Sequence, residues 1–254
     1  MLGYDPKISF EMGIINTISY KTIKKNRLLL EDIDYNKLVN RSVINIDLSD
    51  IKKYIKDGQI LVTGGCGSIG SEIVRQLIKL EIYNIIIYDN HECLMFDLQN
   101  ELRSKYNVGV SSHPIQFVLG DVKDRLKIIE TFEQNNIHIV FHAAAYKHVP
   151  LMEQNPYEAI KTNIIGSKNV SDISLQYNVD KFIMISTDKA VNPTNIMGAS
   201  KRIAELYINN LNNNNKTKFI ATRFGNVLGS NGSVIPTFLK KINNNENLQL
   251  THKD

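Results

Sequence analysis

Thr63-Gly64-Gly65-Cys66-Gly67-Ser68-Ile69-Gly70 decides the fold. Just before it stands the short apolar run Ile60-Leu61-Val62. Just after it, Ser68 to Leu80 carries apolar residues at helical spacing. A glycine pattern by itself is weak evidence. One that ends a strand, opens a helix and begins the first strand–helix unit is the context a dinucleotide site requires. In that reading Gly64 permits the tight turn, Gly67 lets backbone N–H groups approach a pyrophosphate, and Gly70 allows close helix–strand packing. Ser68 and Ile69 stand at the helix N-terminus, whose partial positive charge favours phosphate. The alternative is a glycine turn that holds no ligand.

The alternation continues outward from this loop. Ile85 to Tyr88, Ile115 to Leu119, Ile137 to Phe141, Phe182 to Ile185 and Phe219 to Thr222 read as strands. Glu92 to Leu102, Lys123 to Phe132, Asn155 to Tyr177 and Ala199 to Asn210 read as helices, the third as one long element. Near-continuous apolar strands between amphipathic helices imply an α/β fold with a parallel sheet covered on both faces. Right-handed crossovers make that sheet doubly wound, a Rossmann fold, over residues 58–225. Residues 1–57 form a lead segment of mixed character, in which Ile51 to Ile55 reads as a short helix capped by Ser49 or Asp50.

Bulk properties narrow the class. In 254 residues, 43% are hydrophobic and 22% charged, enough to bury a core. A net charge of +4 with no dense Lys/Arg patch among aromatics suits an anionic substrate and argues against nucleic acid. Cys66 and Cys93 are expected as free thiols of a reducing compartment. The absence of a long apolar run and of a signal peptide leads us to expect a soluble cytoplasmic protein without a membrane span. Nothing in the sequence calls for a metal. The asparagine run Asn212 to Asn215 is read as a loop.

Strand ends locate the candidate site. Asp89 closes the second strand, about 25 residues after Gly64, where a carboxylate can bind the adenosine ribose hydroxyls and repel a 2′-phosphate. NAD is therefore favoured over NADP, while an Asx cap for the next helix is the other role open to Asp89. Asp121 and Val122 follow the third strand and are expected to flank the adenine. Ala143, Ala144 and Ala145 follow the fourth, where small side chains let backbone run beside a cofactor or simply pack tightly. The fifth strand runs into Ser186-Thr187-Asp188-Lys189, which places a hydroxyl, a carboxyl and an amine where ligands of parallel sheets bind. A solvated Asp188–Lys189 ion pair is the plainer alternative.

The segments "LVTGGCGSIGSEIVRQL", "FHAAAYKHVPLMEQNPYEAIKTNIIGS", "ISTDKAVNPTNIMGASKRIAE" and "TRFGNVLGSNGSVIPTF" span roughly residues 59–240 in order. Together they resemble the extended short-chain dehydrogenase/reductase superfamily. Within it they are similar to the nucleotide-sugar 4,6-dehydratases of polysaccharide biosynthesis, of the UDP-N-acetylglucosamine type. The resemblance implies a lyase that oxidises a UDP-N-acetylhexosamine at C4, eliminates water across C5 and C6, and returns the hydride to C6, with NAD recycled. It implies Asp188 as the acid on the leaving C6 oxygen, Lys189 as the C5 base, and Thr187 as holder of the C4 oxygen. It implies Lys201 as the lysine of the nicotinamide ribose, and a homo-oligomer.

The superfamily's Tyr-x-x-x-Lys here reads Met197-x-x-x-Lys201. Methionine is neither acid nor base, and the membrane-associated dehydratases are similar in carrying it. We expect Thr187, Lys201 and a water to move the C4 hydroxyl proton. Lys147, Arg223, Asn226, Ser230 and Ser233 correspond to the part that receives the UDP-sugar. A surface role for Lys147 and a local carboxylate partner for Arg223 are the alternatives. Residues 226–254 are expected to begin a substrate-binding region that the family continues further. An epimerase or reductase, or an NAD-binding protein without turnover, are the competing readings.

Overall fold

The structure, a computed structural model, describes residues 29, 33–34, 49–55, 58–106, 115–213, 216–230 and 232–248. Most of the lead segment, Asn214 and Asn215, and the final residues after 248 lie outside these. The chain divides into two compact units, Leu48–Gly225 and a second one made of Met1–Asp47 with Asn226–Asp254.

In the main unit, α1 (Ser49–Ile55) precedes β1 (Gln59–Thr63) and α2 (Ser68–Lys79). Then come β2 (Ile85–Asp89), α3 (Glu92–Tyr106), β3 (Gln116–Leu119), α4 (Arg125–Glu133) and β4 (Ile137–His142). After β4 the chain forms α5 (Val149–Gln154), α6 (Pro156–Ala159), a π-helical stretch Ile160–Gly166 and α7 (Ser167–Gln176). β5 (Lys181–Thr187), a 3₁₀ turn Asp188–Ala190, α8 (Ile196–Asn210) and β6 (Lys218–Phe224) complete it. The six strands lie in the order β3-β2-β1-β4-β5-β6, and every pairing is parallel. The order reverses between β1 and β4, which opens a crevice above the carboxyl ends of those two strands.

Alternation of side chains explains the two-faced burial. Ile60 and Val62 of β1 join Ile85 and Ile87 of β2 on one face, under Val74 and Leu77 of α2 and Leu98 and Leu102 of α3. Leu61, Ile86, Val140, Phe182 and Phe219 form the other face, under Phe132 of α4, Val170 and Ile173 of α7, and Ile208 of α8. Each of these side chains, withdrawn from water, contributes about 2 kcal/mol.

The sequence reading needs four adjustments, the first being that Ser49 and Asp50, read as caps, lie inside α1. Lys123 and Asp124 precede α4 rather than belonging to it, because the Asp124 carboxylate caps it by accepting from the Leu126 and Lys127 amides at 3.1 Å. The long helix over 155–177 is interrupted by the π stretch, whose wider turn a hydrophobic period cannot reveal. The short helix α5 also stands where the sequence suggested none.

In the second unit α9 (Val234–Asn243) buries Ile235, Phe238 and Leu239 against Ile33, Ile242 and Leu248. Among the described residues, no helix is long and apolar enough to cross a membrane. Cys66 and Cys93 are free.

Candidate active site

The glycine loop is shaped by close backbone approach. Gly64 has φ +64°, and a Cβ there would lie 2.5 Å from the Ala144 nitrogen. A Cβ on Gly70 would lie 2.1 Å from the Gly64 carbonyl, so the first turn of α2 rests directly on the loop. Gly67 differs. Its Cβ would meet one atom, the Gly64 oxygen at 3.3 Å, so packing within the chain does not demand glycine there. No side chain caps the start of α2 at Gly67. A helix N-terminus that opens on Gly67, Ser68 and Ile69 is suited to an anion.

A cleft of about 200 Å³ lies beside this loop. It gathers most of the cofactor residues expected from sequence, namely Gly64, Gly67, Asp89, Asp121, Val122, Ala143, Ala144 and Ala145. Ser68, Ile69 and Gly70 continue from Gly67 into α2.

Asp89 combines the two roles weighed for it only in part. One oxygen accepts from the Cys66 amide at 2.9 Å and the other from the His91 amide at 3.0 Å, so Asp89 ties the glycine loop to the start of α3. Burial and the Asp89 charge push the Cys66 thiol up to about 12, which makes it inert. Asp121 accepts from the Lys123 amide at 2.9 Å and from Asn90 Nδ2 at 3.1 Å. Its burial works to raise the carboxyl, but these bonds and the Lys123 ammonium outweigh it and leave the pKa lowered.

Thr162 was not singled out in the sequence. It lies on the π stretch, lines the cleft, is 8% exposed, and its hydroxyl has no hydrogen-bond partner. An orphan hydroxyl on a cleft wall fits a polar ligand. Its neighbour Asn163 is also buried. Asn163 Oδ1 accepts from the Tyr146 amide at 2.8 Å, and Nδ2 donates to the Tyr146 carbonyl at 3.1 Å and to Ser200 at 2.9 Å. The π turn thus fastens the loop after β4, with Ala143–Ala145, to α8.

Beneath the loop runs a buried polar chain. Ser167 donates its hydroxyl proton to the Asn163 carbonyl at 2.7 Å, so it must accept from His142 Nε2 at 2.9 Å. His142 Nδ1 is then left to accept from Thr63 at 2.7 Å. Burial and the nearby Lys201 hold the His142 imidazolium down to about 3, so the ring is neutral.

At the end of β5 the three polar side chains expected there meet one another. Thr187 donates to Asp188 Oδ1 at 2.8 Å, and Lys189 Nζ reaches the same oxygen at 3.1 Å. These two bonds hold the Asp188 carboxyl below its ordinary range. Both partners of the ion pair are exposed, as the plainer alternative describes. Lys201 is 6% exposed and donates to the Ile185 carbonyl at 2.8 Å. Burial lowers it to about 8, against a weaker opposing pull from Glu205. Met197 is 4% exposed and packs with Met152 and Ala159, an apolar setting in keeping with its lack of acid–base chemistry.

For Arg223 the structure shows the local partner. Its Nε donates to Glu205 Oε1 at 2.9 Å and its Nη2 lies 2.5 Å from Oε2. The Glu205 carboxylate thus takes the Nε and Nη2 donors of Arg223, the local partner weighed as the alternative to a phosphate contact. Lys147 is exposed on the loop after β4, and partial desolvation lowers its pKa. Asn226, Ser230 and Ser233 belong to the second unit. The Ser233 amide donates to the Ser230 carbonyl at 2.9 Å, and Ser233 opens α9.

A doubly wound 3-2-1-4-5-6 sheet with a glycine loop at β1 and a Ser-Thr-Asp-Lys turn at β5 defines a Rossmann fold of the short-chain dehydrogenase/reductase type. More narrowly, the chain belongs to the polysaccharide biosynthesis protein family, which it matches over residues 60–254. It is 43% identical over 246 residues, 96% of this chain, to the capsular polysaccharide biosynthesis protein CapD of Staphylococcus aureus, of which that covers 40%. It is 43% identical over 187 residues, 72% of this chain, to the inverting UDP-N-acetylglucosamine 4,6-dehydratase of Campylobacter jejuni, covering 53% of it. A solved UDP-glucose 4-epimerase from Thermotoga maritima superposes with a TM-score of 0.64 at 26% identity, over 77% of this chain and 66% of that one. The chain thus spans about half the length of the curated relatives it matches.

Proposed function

We propose that this chain carries the NAD-binding and catalytic half of a UDP-N-acetylhexosamine 4,6-dehydratase. The observation that supports this best is the Thr187-Asp188-Lys189 turn at the end of β5, beside the buried Lys201. An epimerase has no need of an adjacent acid and base for elimination, and the chemistry of water loss needs both.

The donor set fits NAD. Gly64, Gly67 and the start of α2 offer backbone to the pyrophosphate, Asp89 faces the ribose position, and Thr162 supplies an unpaired hydroxyl on the cleft wall. When bound, NAD would supply reversible hydride acceptance, first from C4 and then back to C6. The remaining chemistry falls to side chains. Lys189 removes the C5 proton, and Asp188 protonates the departing C6 oxygen. Thr187 holds the C4 oxygen, and Lys201 takes part in moving its proton. In the free chain Asp188 is an anion held by Thr187 and Lys189, so substrate must separate this trio before Asp188 can act as an acid. Lys147, Asn226, Ser230 and Ser233 are our candidates for the sugar nucleotide. Arg223, whose Nη1 is not used by Glu205, joins them as a candidate.

The test is the mass of the product from UDP-N-acetylglucosamine. Loss of one water by the wild type is the expected result, abolished in Asp188→Asn and Lys189→Ala with NAD binding retained. Water loss that survives in both variants would overturn these roles, and an isomer of unchanged mass would point to an epimerase.

A further inference from the structure

Glu205 is a carboxylate with no contact to water and with no place in the chemistry above. It stands one helical turn beyond Lys201 on α8, and both residues are buried. A buried lysine and a buried glutamate four positions apart would ordinarily close into an ion pair. They do not. The Lys201 ammonium donates to the Ile185 carbonyl at 2.8 Å. Glu205 instead turns both oxygens to the Arg223 fork, with Arg202 Nη1 adding a contact to Oε2 at 3.4 Å. Arg223 comes from β6, so the arrangement joins the end of the neighbouring strand to the helix that carries the site lysine.

We propose that Arg223 and Glu205 are positioning residues for Lys201: by filling both oxygens of Glu205, Arg223 keeps that carboxylate from closing on Lys201 and leaves the lysine able to exchange its proton at the ligand. The proposal rests on the reading of Lys201 as the lysine of the cofactor site. It gives Arg223 a function that needs no contact with substrate.

The surroundings of Lys201 support this. From β4 it faces His142, which is neutral and bonded on both ring nitrogens. The turn packed on the start of α8 carries Asp188 and Lys189, which pair with each other. Glu153 of α5 accepts from the Ile196 amide, and Asp172 of α7 accepts from Tyr207. Glu205, four residues along α8, is therefore the carboxylate placed to change the charge state of Lys201, and in this arrangement its pull on the lysine is smaller than the effect of burial. Burial then dominates and brings Lys201 down to about 8, close to the pH at which a proton must move.

The experiment is an NMR titration of the unliganded full chain carrying ε-¹³C lysine, with the Lys201 resonance identified by its loss in Lys201→Arg. In Arg223→Gln, the released Glu205 should pair with Lys201 and move its midpoint up by about one pH unit or more. In Glu205→Gln, the unpaired Arg223 cation should move it down. The double variant, lacking both charges, should return close to wild type. Opposite signs in the two single variants are what a merely structural pair would not produce. Arg223→Lys, which keeps the charge and loses the fork, serves if Arg223→Gln does not fold, and should shift the midpoint upward by less. An unmoved midpoint in folded single variants, or shifts of the same sign, would overturn the proposal. NAD affinity of Lys201→Ala tests the underlying reading separately. A large loss supports placing Lys201 in the cofactor site, and unchanged affinity overturns that placement whatever the titration shows.

Discussion

The cleft at β1 and the turn at the end of β5 are built in opposite ways. The first is made of backbone and small residues, Gly64, Gly67 and Ala143 to Ala145, held from behind by Asp89, Asn163 and the Thr63–His142–Ser167 chain. Its Cys66 amide is held by Asp89, and Gly67 brings no side chain to the start of α2. The second is made of charged side chains already engaged with each other, Asp188 with Thr187 and Lys189, and Arg223 with Glu205. On the proposed function, the first region receives its ligand largely as it stands, whereas the second must exchange partners to act. Preorganisation suits a group that is bound and kept, and exchangeable pairs suit groups that must gain and lose protons.

Substitutions in the loop should break this contrast most severely. Gly70→Ala would press a methyl into the Gly64 carbonyl, so we expect a loss of about 3 kcal/mol in chemical denaturation, together with loss of NAD binding. Gly67→Ala, 3.3 Å from one oxygen, should unfold nearly as the wild type does and still weaken NAD binding. A fold equally damaged by both would remove the distinction between packing glycine and ligand glycine.

The buried chain behind the loop should respond to acid. The His142 pKa is depressed in the folded state, from 6.5 to about 3, so the unfolded chain binds the extra proton. Stability tied to His142 is thus complete above pH 6.5 and is lost as pH falls. About 1 kcal/mol should go between pH 6.5 and 5.5. Glu101, held down to about 2 by Arg75, contributes only at lower pH. In His142→Gln, urea denaturation at these two pH values should show a flatter profile. A profile as steep as the wild type would assign the acid sensitivity elsewhere.

The smallest effect on stability is expected at the β5 turn. Lys189→Ala breaks an exposed ion pair and should change unfolding free energy by less than about 0.5 kcal/mol. It should nevertheless abolish water loss. A substantial destabilisation would mean that the turn is held by this pair, as a structural element is.

The same contrast governs what could be read from the sequence. The glycine loop is legible because the tight turn, the helix start and the strand before it are contiguous, and short-range sterics fix the residues. The strands themselves followed from apolar runs at regular spacing. The interrupted helix at Ile160–Gly166 was hidden because apolar residues continue through it, and their types do not distinguish a π turn from an α turn. Thr162, Asn163 and Glu205 were missed although each is a polar residue inside a segment read as helix, and His142 stands one residue past the fourth strand as read from sequence. Ile235, Phe238, Leu239 and Ile242 likewise carry the helical period of α9. The partnership of Arg223 with Glu205 joins residues far apart in the sequence, on α8 and β6, and no local pattern announces it.

The central claim, that the cleft at Gly64 to Gly70 holds NAD, is tested most directly by calorimetric titration of the nucleotide-free chain with NAD and with NADP. The account predicts saturable binding of one NAD per chain, with NADP at least about tenfold weaker because Asp89 opposes a 2′-phosphate. A folded chain that binds neither nucleotide, or both equally, would contradict it.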